Sequence, residues 1–398
     1  MTRLPLKGLG LLAVASIVAA ACSSAAATPT AAPTAAPTPT AMASASAMAS
    51  EMPSVAPSSS LKIGVVTDVG RVDDKNFNQY SYQGAVQAGQ ELGATVNYVV
   101  PKDSTEYASD IQQFVDQQYN IIVTVGFNLG DDTIKAAKAN PDIWFIAVDV
   151  APCVDETGAP DDTFACKGDA ATLLPHLIGI QFEEDQAGYL AGIVAAAVSK
   201  TGKIGQLGGI NSNPAVVRYM QGYILGAKSY NANIEVDSDF FSTGDLTKAY
   251  GDPTFGKTFS QQFITQKGVD VLFQVAGATG NGALDAACAA GIIGIGVDVD
   301  EYQSYTNADA CIITSAEKHL TSAVDQTIKA ISAGTAKGGI SKFDATNDGV
   351  GYSPLNENAA LQSKIPADVQ GKLDAALAAM KAGTLQTCTS TCGTWNNP

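Results

Sequence analysis

From residue 61 onward the chain repeats one pattern: a short, strongly apolar run, a polar turn, then an amphipathic stretch of helical period. The runs include "LKIGVVTD", "TVNYVV", "NIIVTVG", "IWFIAVD", "KIGQLGG", "VDVLFQVAG" and "IGIGVDVD". Between them lie helical stretches over 78–92, 104–118, 131–140, 184–200, 214–230, 256–267 and 279–290. Strand and helix in strict alternation give parallel sheets with helices on both faces. The series runs twice, before and after "QFEEDQAGYLAGIVAAAVSKTGKIG". This predicts an α/β chain of two doubly wound parallel-sheet lobes with a cleft between them.

In such sheets ligands sit at the carboxyl ends of the strands, where loops lead into helix N-termini. Asp68 follows the first run, Gly126 and Phe127 the third, Asp149 the fourth, Gly277 the sixth, and Asp298 and Asp300 the last. An aspartate after a strand serves equally well to cap the next helix or open a turn. The recurrence at the same rim of both lobes is what points to a binding site. Within "DDKNFNQYSYQG", residues 73–84, Asp73, Asp74 and Lys75 suit a turn and a helix start. A turn does not need Phe77, which belongs either in the core under the first helix or in the cleft.

Ahead of the first run, Arg3 and Lys7 precede the apolar "GLGLLAVASIVAAAC" ending at Cys22. The run is shorter than the ~20 residues of a membrane span, and its charged start and small residues read as a signal peptide over 1–21. Small residues before Cys22 resemble a lipobox, in which that cysteine is acylated; Ala19 stands where leucine is commonest, and a plain secreted chain is the alternative. Residues 22–60, alanine-, proline-, threonine- and serine-rich with Glu51 as the one charge, cannot bury a core. They read as a disordered tether spanning roughly 35 Å as a coil.

The formal charge is −16, and loss of the leader removes two bases and no acid. Binding nucleic acid rests on basic groups that neutralise phosphate, so this balance argues against DNA, RNA and anionic ligands as partners. Besides Cys22 there are six cysteines: Cys153 and Cys166, Cys288 and Cys311, Cys388 and Cys392. Adjacent pairing would close three short loops, as suits an exported protein, although the spacing leaves the pairing open. Neither that spacing nor the scattered His176 and His319 supports a metal site.

No catalytic set emerges, and neither enzyme activity nor a cofactor is expected. "GATGNGALDAA", 277–287, lacks the lysine-serine ending of a P-loop and the spacing of the dinucleotide fingerprint. There is no G-x-S-x-G elbow, and the adjacent acids Asp73-Asp74 and Glu183-Glu184 suit a solvated face.

"DDKNFNQYSYQGAVQAG", "GYLAGIVAAAVSKTGKIGQLGG", "DVLFQVAGATGNGALDAA", "GIGVDVDEY" and "ITSAEKHL" occur in this order. Together they resemble the basic membrane protein family of solute-binding lipoproteins, which includes purine nucleoside receptors. The resemblance implies the type I periplasmic-binding-protein fold, its lobes joined by three hinge crossings. On that template 61–182 plus 315–340 form the N-terminal lobe and 183–314 plus 341–398 the C-terminal lobe. It also implies a nucleoside ligand, delivery to the permease and ATPase subunits of an ABC importer, and a lipid anchor on the extracytoplasmic face of the cell membrane. By residue, it implies that Phe77 and Tyr250 stack on the two faces of a purine and that Asn78 and Asp149 bond the base edge. Gly277 would offer backbone, and Asp298 and Lys318 would hold the ribose hydroxyls. Asp68 and Phe127 join this set from the strand ends. The insertion "APCVDETGAPDDTFACKGD", 151–169, directly follows Asp149, where it could reshape the cleft mouth, and the sequence leaves its role open. A sugar or other small polar metabolite is the alternative ligand.

Overall fold

The computed structural model describes residues 60–396; the leader, Cys22 and the tether lie outside the described residues. The first half runs β1 (Lys62–Thr67), α1 (Phe77–Leu92), β2 (Thr95–Val99), α2 (Tyr107–Asp116), β3 (Ile121–Val125), α3 (Gly130–Ala139), β4 (Trp144–Val148), α4 (Ala170–Leu173) and β5 (Leu177–Phe182). The second runs α5 (Glu184–Val198), β6 (Lys203–Ile210), α6 (Pro214–Tyr230), β7 (Glu235–Ser242), α7 (Pro253–Lys267), β8 (Val271–Val275), α8 (Gly277–Ala290), β9 (Ile293–Asp298), α9 (Glu301–Ser304) and β10 (Ile312–Lys318). The chain ends with α10 (Leu320–Ser332), β11 (Gly339–Phe343), β12 (Val350–Tyr352) and α11 (Val369–Lys381).

Two six-stranded sheets result, ordered β11-β5-β4-β3-β1-β2 and β12-β10-β9-β8-β6-β7. The orders are equivalent position by position, so the doubling of the sequence pattern is a doubling of architecture. Every strand pairs in parallel except β12, which runs antiparallel to β10. The fold is that of two-lobed type I periplasmic binding proteins. Five of the strands, β5, β7, β10, β11 and β12, are not among the seven apolar runs read from the sequence. "EVDSDFFS" of β7 is a half-exposed edge, β10 carries Thr314, Ser315, Glu317 and Lys318, and β11 and β12 are short.

The chain passes between the sheets after β5, after β10 and between β11 and β12. Two of these points differ from the expected boundaries at 314/315 and 340/341. Residues 315–318 belong to β10, paired with β9 in the second sheet, and 341–343 to β11, paired with β5 in the first. The backbone partner decides a strand's sheet, and that partner lies far away in sequence.

Helices α5 and α6 meet along a glycine seam. A Cβ added to Gly188 or Gly192 would lie 2.1 Å from the carbonyl oxygen of Tyr219 or Tyr223, and one on Gly222 or Gly226 would come 2.0 or 1.9 Å from that of Asp185 or Tyr189. Backbone therefore packs on backbone. The seam sets α6 deep enough to bring Tyr219 into the cavity wall.

The disulfides pair neighbours: Cys153–Cys166, Cys288–Cys311 and Cys388–Cys392. The last closes a loop around Gln221 of α6, whose Nε2 donates to Thr394 O at 2.9 Å and whose Oε1 accepts from Gly393 N at 2.9 Å. The 151–169 insertion packs Val154 with Leu129 and Ile134 on the outer face of the first sheet, and Lys138 Nζ donates to its Thr157 Oγ1 at 3.1 Å.

Gly192→Ala should cost about 1–3 kcal/mol, because the inserted methyl overpacks the seam. Gly371→Ala in α11, with open space around its Cβ, should instead gain about 0.5–1 kcal/mol. Chemical denaturation of the two variants measures the contrast.

Candidate functional site

The loop after β1 is built around Asp74. Its Oδ1 accepts from the backbone N–H of Asn76 and Gln79 at 2.9 and 3.1 Å, and its Oδ2 accepts from the backbone N–H and side-chain Nδ2 of Asn78 at 3.1 and 2.9 Å. One carboxylate thus satisfies the open end of α1 and locks the start of the helix, where Phe77 sits. Asn78 Nδ2 also donates to Val69 O at 3.1 Å, while Asn78 Oδ1 is buried without a donor.

Asp149 follows β4, and Asp298 ends β9, the equivalent strand of the second sheet. Both adopt left-handed backbone, at φ 60° and 66°, which non-glycine residues rarely hold and which concentrates at functional sites. Between them lies Lys318, the last residue of β10. Its Nζ is 2.6 Å from Asp149 Oδ2 and 3.3 Å from Asp298 Oδ1, and 4.6 Å from the Phe77 ring centroid. Tyr219 Oη donates to Asp298 Oδ1 at 3.2 Å. Burial alone would push Lys318 down, but Asp149, then Asp298 and Glu184, outweigh it and hold the amine above the usual lysine range. Asp149 and Asp298 are pushed up by burial and partly drawn back by Lys318.

Asp68 caps the end of β1 over Gly126, which has φ 118° and whose Cβ would lie 2.0 Å from the Asp68 carboxylate. Burial pushes Asp68 up to about 7, against hydrogen bonds from Val69 N and Asn128. On the opposite lobe Tyr250 sits in a single π-helical turn, Thr247–Gly251. Its ring lies over Gly209, where a Cβ would approach Cε1 to 2.3 Å, and its Oη accepts from Asn213 Nδ2 at 3.3 Å.

Asp68, Phe77, Asn78, Phe127, Asp149, Tyr250, Gly277, Asp298 and Lys318 all line one cavity between the lobes. Phe77 therefore faces the cleft, and Lys318 is a buried strand residue. Asp300 stays outside and caps α9 through Tyr302 N. No residue of the 151–169 insertion lines the cavity. The role left open for it is decided by packing: after Val150 the insertion turns away from the cavity, and its Val154 joins the core formed with Leu129 and Ile134.

Sequence reasoning missed Asp74, Asn213, Val216 and Tyr219, which also line the cavity. Asn213-Pro214 was readable as a helix start, with a capping side chain before proline. Tyr219, mid-helix, carries no local signal. Among the described residues, the one acid and thiol trio close enough to hold a metal is Asp185, Cys388 and Cys392, and its two sulfurs are joined in a disulfide.

The cavity's polar wall is rich in acceptors: four carboxyls, from Asp68, Asp74, Asp149 and Asp298, against one cation, Lys318. Asp149 Oδ1, like Asn78 Oδ1, is buried without a donor. Such a site suits an uncharged molecule that offers several N–H or O–H groups and a flat apolar face.

Residues 61–375 match a family model described as Bmp, ABC transporter substrate-binding protein PnrA-like. The chain is similar to the ABC transporter nucleoside-binding protein BmpA of Lactococcus lactis subsp. cremoris, 28% identical over 77% of this chain and 85% of that one. It is also similar to basic membrane protein D of Borreliella burgdorferi, 30% identical over 76% and 81% of the two chains. Among solved structures, an ABC transporter solute-binding protein of Aeropyrum pernix superposes with a TM-score of 0.69, at 23% identity, over 82% of this chain and 92% of that one. Among the described residues, no helix is long and apolar enough to cross a membrane.

Lys318→Met leaves two buried carboxyls without their cation and should cost about 3–5 kcal/mol. The carboxyl pKa values rise further in the variant, so protonation relieves the repulsion. The deficit should therefore be largest at the alkaline end and shrink as pH falls; denaturation midpoints across pH 4–8 measure it.

Proposed function

The chain belongs to the Bmp family of ABC transporter substrate-binding proteins, and from that premise we infer that it captures a nucleoside, probed first as a purine, for delivery to an ABC importer. The observation that carries the reading is the pairing of Phe77 and Tyr250, one from each lobe, on a single acceptor-rich cavity. Two aromatic walls suit the faces of a base. We assign Asn78 Oδ1, which lacks a donor, and Asp68 to accept from its edge. Asp149 shares Lys318 with Asp298, so we assign it to the sugar hydroxyls rather than to the base edge. Charge-assisted bonds of this kind contribute about 1.5–3 kcal/mol each.

Capture proceeds by closure of the two lobes about their three crossings, driven by ligand contacts to both. Acylation of Cys22 would anchor the protein on the extracytoplasmic face of the membrane, with residues 23–60 as its tether. The name of the L. lactis relative supports the ligand class.

Calorimetric titration of protein freed of carried-over ligand should give saturable binding of at least one of adenosine, guanosine, inosine and uridine. No binding of any of them, with binding of a free sugar, would overturn the nucleoside reading. Phe77→Ala should weaken nucleoside binding by about 1–3 kcal/mol, by analogy with base stacking. The corresponding 5′-phosphate should bind far more weakly than the nucleoside, because the cavity has four carboxyls and one amine.

A further inference from the structure

Asn76 sits at the N-cap of α1, where an asparagine ordinarily folds its side chain back onto the helix. Here it makes no such bond, because Asp74 has taken over the capping. The freed amide reaches the other lobe instead: Nδ2 donates to Glu301 Oε1 at 2.9 Å and to Val297 O at 3.4 Å. Both of its side-chain bonds thus cross from the first lobe to the second. Neither Asn76 nor Glu301 lines the ligand cavity, although Asn76 is the immediate neighbour of Phe77.

Glu301 is fully buried and its site is built for it. Oε2 accepts from Gln274 Nε2 at 2.7 Å and from Val297 N at 2.8 Å, and the Glu301 backbone N–H donates to Ser315 Oγ at 3.0 Å. Gly296 leaves the room, since a Cβ there would come within 2.6 Å of Glu301 Oε2. Among the described residues no cation is bonded to this carboxyl; its hydrogen-bond partners are all neutral donors. A buried carboxyl in that setting is costly, and its one partner from across the cleft is Asn76.

We propose that Asn76 and Glu301 form an interlobe latch outside the ligand cavity, which favours the closed form and holds Phe77 in place, making Asn76 and Glu301 positioning residues for capture. The latch rests on the capture reading only in requiring two lobes that open and close; it holds for any ligand class.

The latch is tied to a proton. Burial pushes Glu301 up to about 8. The titratable groups around it are Asp298 on β9, whose charge opposes its ionisation, Tyr80 on α1, and Tyr305 beyond α9; on β10, Lys318 is paired with Asp298. Opening removes Asn76 and admits water, letting the carboxyl return toward its ordinary range. The closed form therefore holds the proton more tightly, so closure is favoured below about pH 8 and loses that advantage as pH rises through it.

The test reads lobe separation by single-molecule fluorescence transfer in the full chain, with dyes on Lys135→Cys and Thr265→Cys, across pH 6–9 without ligand. Wild type should show a closed population that shrinks as pH rises. Asn76→Ala should lower that population at pH 6, and Glu301→Gln should flatten its pH dependence. Calorimetry with inosine at pH 6 should give about two- to tenfold weaker binding to Asn76→Ala. A wild-type protein without a pH-dependent closed population, or variants that match it at every pH, overturns the latch. If neither inosine nor adenosine, guanosine or uridine binds any of the proteins, the nucleoside reading fails while lobe separation still decides the latch. If Glu301→Gln does not fold by circular dichroism, Asn76→Ala decides it, because that change leaves the interior of the second lobe intact.

Discussion

An ammonium group buried where the chain leaves one sheet for the other organises this molecule. Lys318 ends β10 in the second sheet, directly before the crossing to α10, which packs on α1 of the first. Its amine is held by Asp149 from one sheet and Asp298 from the other. A charge removed from water to this degree persists only with opposite charges in close geometry. The two lobes are arranged here so that both aspartates reach the lysine. The left-handed backbone at both aspartates is the local strain this arrangement imposes.

Around that centre the two lobes solve the same problem twice. Each sheet sets an aspartate at the cleft end of its third strand, Asp149 just after β4 and Asp298 as the last residue of β9, and each follows a central strand with a glycine of positive φ, Gly126 or Gly277. The differences carry the asymmetry a ligand needs. Asp74 releases Asn76 and fixes Phe77 on one side, and a π-helical turn over Gly209 seats Tyr250 on the other. The glycine seam between α5 and α6 brings Tyr219 up to Asp298. The disulfide-closed insertion packs on the first sheet and the disulfide-closed tail wraps Gln221 of α6, and neither lines the cavity.

Much of the site was legible because strand-end polarity is a local signal. Asp68, Asp149, Gly277 and Asp298 each follow an apolar run, and Phe77 stands out against the polar turn that holds it. Tyr219 and Asp74 were not legible as cavity residues: a mid-helix tyrosine reads as core, and an aspartate before a helix reads as a cap. Asp74 is in fact both cap and cavity wall. Asn76 gave no signal at all, since its side chain departs from the capping geometry its position suggests.

Taken alone, the sequence determined the fold class and the rim on which a site would lie. Apolar periodicity and turn chemistry act over a strand or a helical turn and survive in any tertiary context. The tertiary structure alone decided that β10 joins the second sheet and β11 the first, that the 151–169 insertion faces outward, and that Asn76 reaches Glu301. It also decided that Lys318, 169 residues from Asp149, is shared by the aspartates of both lobes. These outcomes depend on which distant groups satisfy one another once water is excluded, and no local stretch of chain encodes that choice.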